Sequence, residues 1–113
     1  MPIAMLITQP GDARDAVGLF LAGRGWTSVP ITPEPERVRE LFDAVHPQIV
    51  VADYRGDAAM VAGCVAVLVD RGSTIYALNA TDELLVENAG VVMAREARDI
   101  PRAPGTPVPP HPS

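Results

Sequence analysis

The sequence predicts a three-layer α/β/α fold: a five-stranded parallel sheet, strand order 2-1-3-4-5, with helices on both faces and a last helix that is short or absent. Three observations carry this. Short apolar runs alternate with longer segments of helical periodicity, a β-α-β-α-β-α-β-α-β rhythm that right-handed crossovers turn into a parallel sheet. The run Ile49-Val50-Val51-Ala52, set between Pro47 and a polar loop, has the unbroken apolar character of a central strand buried on both faces. The chain has 113 residues, enough for one core and not for two.

Ile3 to Thr8 is the first strand, broken by Gln9-Pro10-Gly11. Asp12 is placed to cap the following helix, in which Val17, Phe20 and Leu21 recur at helical spacing and which Gly23 and Gly25 end. Trp26 to Ile31 is the second strand. Thr32 then suits a cap and Pro33 a first helical position, with Glu34 and Glu36 near the positive end of the helix. Val38, Leu41, Phe42 and Val45 make one apolar stripe, so this helix is amphipathic, and His46-Pro47 ends it.

After the central strand, Ala58 to Val69 runs twelve residues without a charge. Its length favours a helix, and a helix apolar on all sides is covered by its own domain or by a partner. This predicts self-association as a homodimer, with Met60, Val61, Val65 and Leu68 as the interface. Asp70-Arg71-Gly72 ends the helix, and Ser73 to Leu78 is the fourth strand. A short helix capped by Thr81 or Asp82 runs through Leu84, Leu85 and Glu87 to Gly90. Val91 to Ala94 is the fifth strand, and Arg95 to Ile100 is one last helical turn. Residues 1–100 thus make the domain. Residues 101–113 hold six prolines in thirteen positions and are expected to be a disordered or polyproline-II tail. The Pro107 to Pro110 spacing there could dock in an aromatic groove, though a plain terminus or linker is the expectation.

Composition narrows function. The net charge is −5, every cation is arginine and no basic cluster exists, which argues against nucleic acid. No apolar stretch reaches membrane-spanning length, and no signal peptide opens the chain, so a cytoplasmic protein is expected. The single cysteine, Cys64, excludes a disulfide framework and reads as a buried small hydrophobe. The loops after strands 1, 3 and 4 converge on one sheet edge and carry Thr8, Gln9, Asp53, Arg55 and Asn79. They form a candidate pocket in which Arg55 could hold an anion. The phosphate-loop spacings are absent. Asp53 and Asp57 alone under-coordinate a metal, and only His46 lies within the fold, so no triad can form. No catalytic residue, metal or cofactor is expected.

Asp43-Ala-Val-His-Pro-Gln-Ile-Val-Val-Ala-Asp53-Tyr resembles the third-strand signature of response-regulator receiver domains, which share the flavodoxin-like strand order. Arg14, Leu78-Asn79-Ala80 and Asn88-Ala-Gly-Val91 extend the resemblance across residues 3 to 95. In that family an aspartate at the place of Asp53 accepts a phosphoryl group. The family's acidic pair is replaced by Thr8 and Gln9, its fourth-strand Ser or Thr by Asn79, and its lysine by Ala94 or Arg95. The resemblance therefore implies a degenerate pseudo-receiver: a non-catalytic signalling module acting through protein contacts. A weaker similarity, from Gln48 to Val91, is to STAS-type domains, but no Asp-Ser-Ser-Gly segment precedes the third helix. A small-molecule binder or small enzyme using the edge pocket, and an assembly protein, are the alternative readings.

Overall fold

The computed structural model describes residues 2–69, 71–80, 91–94 and 97–104. Its strands are β1 (Ile3–Ile7), β2 (Thr27–Ile31), β3 (Ile49–Asp53), β4 (Thr74–Leu78) and β5 (Val91–Ala94). Its helices are α1 (Asp12–Gly23), α2 (Pro35–Val45) and α3 (Ala58–Leu68), with a 3-10 turn at Ala97–Asp99. All strand pairs are parallel, and the order is β2-β1-β3-β4-β5, as the sequence predicts. The helix expected within 81–90 lies outside the described residues.

Because side chains alternate across a strand, β1 and the Ile49 to Ala52 stretch of β3 must be apolar at every position to serve two helical layers. Met5, Ile7, Val50, Ala52, Ile75 and Ala77 face α2 and α3, where Val38, Phe42, Val61, Cys64, Val65 and Leu68 meet them. Ala4, Leu6, Ile49, Val51 and Leu78 face the other way, against Val17 and Leu21 of α1 and against Trp26. The five residues of β3 are all buried.

Three expectations are corrected. Val61, Val65 and Leu68 lie in the domain's own core at 0%, 0% and 1% exposure, so they are not available to a partner; Met60, at 42%, is. The outward positions of the helix include alanines, Ala59 and Ala66, which keep it apolar all round. The helix starts also differ. Asp12 is the first residue of α1, after Gly11, and supplies no cap bond; Pro35, not Pro33, opens α2. Asp57 does cap α3, its Oδ1 accepting from the Met60 amide at 3.2 Å.

The third correction concerns residues 101–104 of the expected tail; its remainder, 105–113, lies outside the described residues. Residues 101–104 are seated on the domain. The Trp26 indole donates to the Pro101 carbonyl at 2.8 Å, and the Ala103 amide donates to the Arg24 carbonyl at 3.0 Å. Ile100 and Ala103 are buried at 0% and 4%, on the same sheet face as α1. A short strap thus covers apolar surface there. No helix among the described residues is long and apolar enough to cross a membrane.

Candidate functional site at the carboxyl edge of the sheet

β3 ends in Asp53, paired in register with Leu78 of β4. The ladder continues one step, the Tyr54 amide donating to the Leu78 carbonyl at 2.9 Å. Asn79 therefore leaves β4 beside Asp53. Its backbone is left-handed, φ 58, a conformation that asparagine tolerates better than most residues. Its Nδ2 donates to Asp53 Oδ1 at 3.1 Å.

Arg55 completes the enclosure. Its amide donates to Asp53 Oδ1 at 3.0 Å, a local turn in which a side-chain oxygen replaces a backbone carbonyl. That turn bends the chain so that the guanidinium folds back. Nε lies 3.1 Å from Oδ1 and 3.0 Å from Oδ2, and Nη2 lies 2.6 Å from Oδ2. Gly56 follows at φ 87, and a Cβ there would stand 3.2 Å from Gln9 Cγ, so both backbone and space favour glycine.

Asp53 is fully buried at 0% exposure. Burial pushes its carboxyl up; hydrogen bonds from the Arg55 side chain and amide and from Asn79, with the Arg55 charge, outweigh this and hold it below the ordinary 3.8. The bonds to Asp53 in turn push the Arg55 guanidinium up, against a smaller opposing effect of burial. The site is a neutralised ion pair with an amide ligand, not an open acid.

Of the five residues expected to share a pocket, Asp53, Arg55 and Asn79 meet through hydrogen bonds. Gln9 joins only by its approach to Gly56. Thr8 is buried, but its hydroxyl reaches the Gln9 carbonyl at 3.4 Å, and its amide donates to Ile31. Arg55 is largely spent on Asp53 and is not the free anion donor expected. His46 terminates α2 in a left-handed conformation before β3, at the opposite end of that strand. Among the described residues no cluster of three or more His, Cys, Asp or Glu could hold a metal.

Tyr54 was not singled out by sequence. It lies 3% exposed, and its hydroxyl has no hydrogen-bond partner among the described residues. A tyrosine directly after a buried strand-end aspartate is the available signal. The Asp-x-Arg-Gly spacing likewise signals the closing turn, because Asp favours bonding an amide two residues on.

No protein-family model, curated protein or solved structure matches the chain. Fold and site define a five-stranded, all-parallel, flavodoxin-like α/β domain whose central-strand carboxylate is neutralised from within the chain.

Proposed function

We propose that this is a non-catalytic, receiver-like signalling or regulatory module that acts through protein–protein contacts. The observation that supports it best is the closure of Asp53: one arginine holds both carboxylate oxygens and Asn79 holds one of them. Phosphoryl transfer needs a free attacking oxygen in line with the phosphorus, and cations on the transferring group. Here the oxygens are covered by the chain's own cation, and the flanking β1 loop supplies Thr8 and Gln9 rather than carboxylates. The exposed groups around this edge, Gln9, Arg55, Asp57 and Asn79, are what the loops offer to a protein partner.

The test is incubation with acetyl phosphate and Mg²⁺ followed by intact mass measurement. The mass is expected to stay unchanged. A stable phosphoryl adduct mapped to Asp53 refutes the reading.

Self-association belongs to the same proposal. It would use the exposed rim of α3, Met60 with Ala59 and Ala66. Sedimentation at two concentrations tests it, and a monomer at both removes it.

A further inference from the structure

Away from Asp53, α1 and the edge strand β2 leave an open cavity of about 460 Å³ between them. That volume lies within the usual size of small-ligand sites. Leu6, Leu19 and Pro30 supply its apolar lining, and Arg14, Asp15 and Ser28 bring polar groups to it.

The cavity is kept open by Gly18 in the middle of α1. A Cβ there would stand 3.6 Å from Ser28 Oγ, an ordinary contact, so packing does not require glycine. Glycine in a helix interior costs up to about 1 kcal/mol against alanine. What it provides at this position is space between helix and strand.

The polar groups are unspent. Ion pairs among the described residues join Arg37 to Glu34, Arg55 to Asp53 and Arg71 to Asp43, and Arg14 and Asp15 take part in none of them. Arg14 is half-buried, and the Ser28 hydroxyl makes no hydrogen bond among the described residues. A simple anion would meet Asp15, and a simple cation would meet Arg14. An apolar floor flanked by both charges fits a ligand that carries both.

An added β-strand fits this edge poorly. The Thr27 amide and the Ile31 carbonyl bond to the β1 side. Alternation then turns the Pro30 nitrogen, which has no hydrogen, to the open edge.

We propose that this groove binds a free α-amino acid with an apolar side chain. Arg14 takes the carboxylate, Asp15 the ammonium with the Ser28 hydroxyl beside it, and Leu6, Leu19 and Pro30 the side chain. The site shares no residue with the Asp53 edge, so either reading stands if the other fails.

The test uses the full chain with L-leucine and L-phenylalanine as probes, in thermal shift and isothermal titration. Single-charge analogues, 4-methylpentanoate and isoamylamine, run in parallel. Binding to the folded state raises the melting temperature with ligand concentration. Loss of one charged contact, by analogue or by Arg14→Gln or Asp15→Asn, is expected to weaken binding about ten-fold or more. Gly18→Leu is expected to abolish it by filling the groove; should that variant not fold, the two charge variants carry the test. No melting shift with either amino acid, equal binding of a single-charge analogue, or binding unchanged in both charge variants overturns the proposal.

Discussion

Arg55 closes over Asp53 from two residues along the chain, with Nη2 2.6 Å from Oδ2 and Nε about equidistant from both oxygens at 3.0 and 3.1 Å. The carboxylate is buried, while the guanidinium side chain is 51% exposed. The pair is thus asymmetric: the arginine loses little hydration, and the aspartate would lose much without it. Arg55→Ala should destabilise the fold by about 1–2 kcal/mol, the lower part of the range for an uncompensated buried charge, because solvent screens the partner. Urea denaturation measures this. Arg55→Lys should recover only part of it, since an ammonium cannot grip both oxygens in a planar fork.

The same pair sets an acid limit. The unfolded carboxyl titrates near 3.8, and the folded one titrates lower. Between those values the unfolded chain binds more protons, so stability falls as pH falls. The contribution is complete above the unfolded value and is lost on acidification through the folded one. The urea midpoint of the native protein should therefore drop as pH is lowered below 3.8, and Asp53→Asn should flatten that dependence. An equally steep profile in the variant would assign acid sensitivity to other carboxylates.

The Tyr54 hydroxyl sits in the core without a hydrogen-bond partner among the described residues, and its ionisation is pushed up by burial and then by the Cys64 side chain. A buried unsatisfied hydroxyl costs about 1–3 kcal/mol. Tyr54→Phe should accordingly leave stability unchanged or raise it by up to about 1 kcal/mol, the void left by the oxygen offsetting part of the gain. A loss above 1 kcal/mol, read from chemical denaturation, would instead mean that a buried water serves this group.

Sheet order was legible because parallel strands carry their burial in plain sight: Ile49 to Ala52 has no polar position to spare. The partner of α3 was not legible. An all-apolar segment looks the same whether Val61, Val65 and Leu68 meet a sheet or a second subunit, and only the tertiary arrangement shows that the sheet and α2 take them. The candidate site was half legible. Strand ends located Asp53 and Asn79, and the Asp-x-Arg-Gly spacing signals the turn, but the return of the Arg55 guanidinium onto both Asp53 oxygens is a rotamer choice that spacing does not specify. Proline content concealed the strap, since Ile100 and Ala103 are isolated among residues that suit a tail. The groove beside Gly18 was not legible either, because it depends on which charges find partners elsewhere.

Cys64 is fully buried, and burial, with a smaller contribution from the charge of Glu34, pushes its thiol up to about 11. Only the thiolate reacts with disulfide reagents. In the native state at pH 8 Cys64 should resist Ellman's reagent and should react promptly once the chain is unfolded in urea. Fast native labelling would require α3 to open from the sheet.

The strap at residues 97–104 contributes to the fold by covering the α1 face. Ile100 is fully buried against that face, and Ala103 is nearly so. Ile100→Ala should cost about 2–4 kcal/mol, the usual range for emptying a large aliphatic core site. Ala103→Glu tests seating more sharply, because it places an unpaired charge where a methyl packs. It should detach the strap and release the Trp26 indole from the Pro101 carbonyl. Trp26 is the only tryptophan, so its emission reports this one contact without interference. A red shift in Ala103→Glu, with the far-UV spectrum otherwise native, is the expected result. Unchanged emission together with unchanged urea stability would show that residues 101–104 merely lie against the domain and do not brace it.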